Sequence, residues 1–251
     1  MRKEEETRQA AHYDQLAARY EASYGDEWSQ QYRARFVHGP MTSGMPLEGA
    51  SILEAMCGSG QLAEYLVARG GEVTGIDVAP AEIELFRRRL PRCTAIVGSI
   101  LETGLPGETF DAVMVVGALH HVHPYVEQAV DEIHRLLRPG GFFCFLEPHL
   151  GSLPNAFRRL WYRFDPLFEE NEAAIDLDRL MDLNRHRFDF VTTSYTGALA
   201  FLLVYNSMVF RVPASIKRMY APGLLVLEGL IERVQTRRTS CVVICQWRKR
   251  R

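Results

Sequence analysis

No hydrophobic run in this chain is long enough to cross a bilayer. The longest apolar stretch, Ala198 to Phe210, is broken by Asn206 and falls short of the roughly 20 residues a spanning helix needs. The opening Met1-Arg2-Lys3-Glu4-Glu5-Glu6 has no apolar segment of the kind a secretory leader carries, so the expected location is the cytoplasm. A charge excess of either sign is also missing. Lys and Arg total 29 against 31 Asp and Glu, which leaves no global field to recruit DNA or RNA; only Arg248 to Arg251 form a small basic tail. Cysteine is sparse and odd in number, five in 251 residues, which argues for reduced thiols over a disulfide framework. None stands at metal-ligand spacing from a histidine, and no metal is expected. Cys241 and Cys245 are four apart on an expected strand and should share a face.

What is present is an alternation of strand and helix patterns through the middle of the chain, which predicts a parallel sheet covered on both faces. Strands are expected near 51–56, 72–77, 93–98, 110–117 and 141–147, with helices at Gln61 to Arg69, Ala81 to Leu90 and Tyr125 to Leu137. Gly70-Gly71 and Pro139-Gly140-Gly141 are expected to stop helices, and Pro80 to open one. The apolar run Ile52 to Met56 leads into Gly58-Ser59-Gly60 and a helix opening near Gln61, while Asp77 ends the next apolar run. Together they form a nucleotide-type corner. Glycines let a ligand approach bare main chain, the helix start would offer N–H groups to a negative group, and the Asp77 carboxylate suits a ribose diol.

Gly58-Ser59-Gly60-Gln61-Leu62-Ala63 fits dinucleotide enzymes as well as other nucleotide binders. Its surroundings add Glu54 in the first strand, Gly75-Ile76-Asp77 closing the second, Leu105-Pro106 with Phe110-Asp111 before the fourth, and Leu137-Arg138-Pro139-Gly140-Gly141 before the fifth. In this order and spacing the chain resembles the class I S-adenosylmethionine (SAM)-dependent methyltransferases, closely over about residues 50 to 148. The resemblance implies an α/β fold: a doubly wound, seven-stranded, mostly parallel Rossmann-like sheet whose last strand, Ser240 to Trp247, runs antiparallel between the fifth and the sixth, Phe188 to Tyr195. It implies one domain over 1–251, with an N-terminal helical lid (1–45), a cofactor-binding core (50–148), an inserted helical substrate cap (149–235), and the final strand with its basic tail (236–251).

The same resemblance implies SAM as cofactor. Gly58, Ser59 and Gly60 would lie along its methionine part, with Glu54 steering the ammonium. Asp77 would hold the ribose, Val78, Ser99 and Ile100 the adenine, and Gly117 the segment where cofactor and substrate meet, with Tyr20 of the lid near the sulfonium. Ser99 departs from the family, which commonly places an acid there to accept from the adenine amino group. His120 and His121 end the expected fourth strand, on opposite sides of it, where either could take the acceptor's proton, His121 before His120; a ring that only shapes the pocket, with the proton lost to solvent, is the other reading. Glu147 would either orient a substrate hydroxyl or cap the helix near Pro154.

The reading that follows is a methyltransferase acting on a small or lipophilic metabolite, at oxygen. A NAD-dependent oxidoreductase is the first alternative, disfavoured because about fifty residues precede the glycine turn and no tyrosine-lysine pair is apparent; a catalytically silent binding protein of the same fold is the second. Two apolar segments, Leu199 to Phe210 and Leu224 to Val234, leave open a wall over the substrate, a homodimer face, peripheral membrane contact or plain core packing.

Overall fold

Period-two alternation along the strands divides the core into two layers, one on each face of a single sheet. On one face lie Leu53 and Ala55, Val113 and Val115, Phe143 and Phe145, and Val243, Cys245 and Trp247. Ile52, Ala112 and Met114, Cys144 and Leu146, and Val242 and Ile244 line the other. The fold is that of a computed structural model, which describes residues 7–11, 14, 24–162, 173–207 and 212–251.

The seven strands are β1 (Ser51–Ala55), β2 (Glu72–Asp77), β3 (Thr94–Val97), β4 (Phe110–Val116), β5 (Leu137–Pro148), β6 (Phe188–Thr196) and β7 (Val242–Lys249), in the order β3-β2-β1-β4-β5-β7-β6. The first five pair in parallel, while β7 runs antiparallel to both β5 and β6. The expected doubly wound sheet with its antiparallel last strand is therefore present. Because β1 and β4 are neighbours whose chains leave in opposite directions across the sheet, a crevice opens beyond their carboxyl ends.

The helices are α1 (Glu27–Arg33), α2 (Gln61–Val67), α3 (Pro80–Arg89), α4 (Val126–Leu136), α5 (Leu153–Tyr162), α6 (Leu177–Asn184) and α7 (Ala214–Ile231). Val126, Val130, Ile133 and Leu136 give α4 an apolar stripe at helical spacing, and it packs with α6 on the first face. Leu62 and Leu66 of α2, Ile83 and Phe86 of α3, Tyr32 of α1 and Leu225 of α7 fill the second. α1 continues through a wide turn, Ala34–His38, into Gly39–Met41, and Tyr32, Phe36, Val37 and Met41 are all buried. This part of the expected lid is core.

Three sequence expectations need correcting. β5 begins at Leu137, so Pro139-Gly140-Gly141 is strand and not the gap before one; the pairing of β4 with β5 shifts register between Phe110 and Ala112, which accommodates the irregular entry. His120 and His121 lie beyond β4, in a single helical turn, Leu119–Val122, because Gly117 takes φ +62° and ends the strand. Cys241 precedes β7 and packs on the opposite face from Cys245.

Candidate active site

The carboxyl ends of β1, β2, β3 and β4 gather Glu54, Gly58 to Gly60, Asp77 and Val78, Ser99 and Ile100, and Gly117 on one rim. Alternation directs Glu54 toward the α2 side of the sheet. There it is 5 % exposed and its Oε2 accepts the Ala63 amide at 2.8 Å. Burial pushes its carboxyl up to about 8, against the pull of the Ala63 and Leu62 amides. The Leu62 and Ala63 amides in the first turn of α2 are thus capped from within and are not left for a negative ligand as the sequence suggested.

Asp77 joins the first two strand ends: Oδ2 accepts the Gly58 amide and Oδ1 the Ala79 amide, both at 2.9 Å. Burial raises its pKa, opposed by the Ala79, Gly58 and Val78 amides. Glu82 of α3 stands beneath the same turn, 3.6 Å from where a Gly58 side chain would begin. The Cys57 thiol is pushed well up, by burial first and then by Glu54, Asp77 and Glu82. Three carboxyl groups therefore surround the turn, an environment unfavourable to a phosphate, with Glu54 protonated below about pH 8.

The glycines serve different ends. Gly58 has φ +48° and Gly60 φ +79°, but a Cβ on Gly60 would also lie 2.4 Å from Phe86 Cδ2, so this position is closed by core packing and not by a ligand. At Gly117, φ is +62° and a Cβ would meet nothing within 4 Å, which marks an opening at the rim. The Ser59 carbonyl and hydroxyl accept from Arg89 Nη1 at 3.0 and 3.2 Å. Ser99 Oγ accepts the Leu101 amide at 3.1 Å, closing its own turn, and Ile100 is buried in the core.

The N-terminal segment reaches this rim through Gln9, whose Nε2 donates to the His121 carbonyl at 3.0 Å, and through Asp14, whose Oδ1 accepts the Ala81 amide at 2.9 Å. Tyr20 lies outside the described residues.

The arrangement least visible in the sequence is a buried pair next to the crevice. Glu147, fully buried at the end of β5, accepts the Ala118 and Leu119 amides through Oε1 at 2.7 Å each, and its Oε2 lies 2.7 Å from His120 Nδ1. Glu147 caps the turn after β4; it does not cap the helix near Pro154. Burial pushes its carboxyl up to about 7, opposed by the Leu119 and Ala118 amides. The His120 and His121 rings are 4.0 Å apart, on one side of the chain and not on opposite sides as a strand would place them. The signal was available: His120 follows β4 and Glu147 stands at the end of β5, two strands that pair in parallel. Among the described residues, no three His, Cys, Asp or Glu side chains cluster as a metal site would.

Strand order and rim together define a nucleotide-cofactor domain of the doubly wound type. Residues 53–145 match the family model described as a methyltransferase domain. An uncharacterized methyltransferase of Mycobacterium tuberculosis is 36% identical over 97 residues, 39% of each chain. The ubiquinone biosynthesis O-methyltransferase of Methylocella silvestris is 39% identical over 120 residues, 46% of each chain. The chain thus spans less than half the length of these curated relatives. The crystal structure of the N-methyltransferase NodS from Bradyrhizobium japonicum, in complex with S-adenosyl-L-homocysteine, shares the fold at 17% identity and a TM-score of 0.57, covering 89% of this chain and 88% of that one.

Over residues 53–145 the chain matches the methyltransferase-domain family, and there it is similar to the class I SAM-dependent methyltransferases. That family's cofactor has a ribose diol, an ammonium and a sulfonium but no phosphate. The rim fits it: a carboxylate at Asp77, acids around the glycine turn, and a helix start already satisfied by Glu54.

Proposed function

We propose that the protein methylates a hydroxyl group on a small or lipophilic metabolite, with SAM as donor and the His120–Glu147 pair as the proton acceptor. The observation that carries the choice of cofactor is the Glu54 bond to the Ala63 amide, which occupies the place where a dinucleotide enzyme would receive pyrophosphate. SAM, when bound, supplies an electrophilic methyl group. Asp77 holds the ribose, and the acidic turn meets the cofactor's positive charge.

The acceptor's proton goes to His120. Its Nδ1 is engaged by Glu147, so Nε2 is the nitrogen assigned to the substrate hydroxyl. Glu147 fixes that tautomer and stabilises the imidazolium that forms, while three main-chain amides hold the carboxylate in place. His121, stacked on His120 and tied to Gln9 through its carbonyl, shapes the pocket. Assignment to oxygen is supported by the pair itself, since a hydroxyl must lose its proton to become a good nucleophile, and by the O-methyltransferase name of the Methylocella relative.

The test is release of S-adenosylhomocysteine with catechol- and hydroquinone-type acceptors. His120→Ala should lower turnover by about 10²-fold or more with SAM affinity nearly unchanged. Full turnover in that variant would remove the base assignment; SAM binding without turnover on any acceptor would favour a silent binding protein.

A further inference from the structure

α7 buries two of its three charged residues and exposes a stripe of hydrophobic ones. Lys217 and Glu228, 1 % and 0 % exposed, point inward. Lys217 pairs with Asp26 and donates to Ser29 Oγ at 2.8 Å and Ser207 Oγ at 2.9 Å. Glu228 accepts from Tyr32 Oη at 3.2 Å and from the Ala198 and Ala200 amides at 2.7 and 2.8 Å. These two anchors lie about three turns apart and fix the rotation of the helix.

The opposite side carries Ile216, Met219, Val226, Leu227, Leu230 and, just past the helix, Val234, recurring at helical spacing around the exposed Gly223. Met219 and Val234 are 80 % and 76 % exposed. A stripe of this length on a helix that cannot turn is a surface made to be covered. The exposed charges along residues 215–238 are Arg218, Arg233 and Arg238; of the two acids in that span, Glu228 is buried and Glu232 is half-buried and accepts from Thr196 Oγ1 at 2.6 Å. Against a second copy, a two-fold pairing of this face would bring arginines together with no acid in the stripe to offset them. An anionic bilayer meets both features, taking the apolar side chains at its acyl boundary and the guanidinium groups at its headgroups.

We propose that the outer face of α7 docks the protein on an anionic lipid surface. No helix among the described residues is long and apolar enough to cross a membrane, so the contact is peripheral. It is independent of the cofactor site, whose residues lie at the sheet's carboxyl edge.

The experiment is flotation of the full chain with vesicles of phosphatidylcholine alone and of phosphatidylcholine mixed with phosphatidylglycerol, with SAM affinity of every variant measured by calorimetry. Retention is expected on the mixed vesicles and should fall by at least about tenfold in Val226→Asp/Leu230→Asp and in Arg218→Glu/Arg233→Glu, with SAM affinity unchanged. No retention, or equal retention on neutral vesicles, overturns the proposal. So does a dimer in light scattering that Val226→Asp/Leu230→Asp dissolves, since the face would then belong to a second copy.

Discussion

Glu147 Oε2 lies 2.7 Å from His120 Nδ1, and the same carboxylate accepts two amides of the turn that carries the histidine. Position and protonation of the proposed base are therefore set by one buried side chain. Glu147→Gln keeps an oxygen for the amides but turns an NH₂ toward Nδ1, which places the ring proton on Nε2, where it blocks proton uptake. Turnover should fall by about 10² to 10⁴ while SAM affinity stays within about twofold. A loss confined to SAM binding would assign Glu147 to the cofactor site.

The pH profile of the same pair follows from its burial. Glu147 ionises at about 7 in place of 4.5, and the base needs it ionised, so kcat should rise with pH through about 7. In Glu147→Gln that rise should vanish, as pH-dependent single-turnover rates would show.

Stability carries a related signature. Glu54 at about 8 and Glu147 at about 7, each against an ordinary 4.5, bind more protons folded than unfolded in the window between. Their contribution is complete below pH 4.5 and is lost as pH rises through the folded values. Chemical denaturation of the ligand-free protein should show stability falling from about pH 5 to 8, and Glu54→Gln should flatten the upper part of the curve. A slope unchanged in that variant would mean that Glu54 is ionised throughout.

Gly60→Ala tests the glycine turn as packing. Its Cβ would stand 2.4 Å from Phe86 Cδ2 at a φ of +79°, so a loss of about 2 to 4 kcal/mol is expected, read as a shift of the denaturation midpoint. Gly117→Ala, at φ +62° with no atom within 4 Å of the new carbon, carries only the backbone strain of about 1 to 2 kcal/mol.

Much of the fold was legible because strands buried on both faces are continuous apolar runs and Pro80 and Gly60 mark helix starts. The order of strands, including the antiparallel last one, came with the family resemblance and not from periodicity. The extended strand reading of His120 and His121 failed because it has no way to see that Gly117 turns left-handed. The inward direction of Lys217 and Glu228 on α7 was hidden for a different reason: composition suggests that leucine and valine go inside, and only the partners at Asp26 and Tyr32 reverse it. The bond from the Ala63 amide to Glu54 is not legible in the sequence, because it depends on how closely α2 approaches β1.

The most direct test of the cofactor assignment is calorimetric titration of the wild-type chain and of Asp77→Ala with SAM and with NAD. SAM binding is expected in the wild type, with no comparable NAD binding, and SAM affinity should be weaker by about 1.5 to 3 kcal/mol in Asp77→Ala, or roughly 10- to 150-fold. Tighter binding of NAD than of SAM would contradict the assignment.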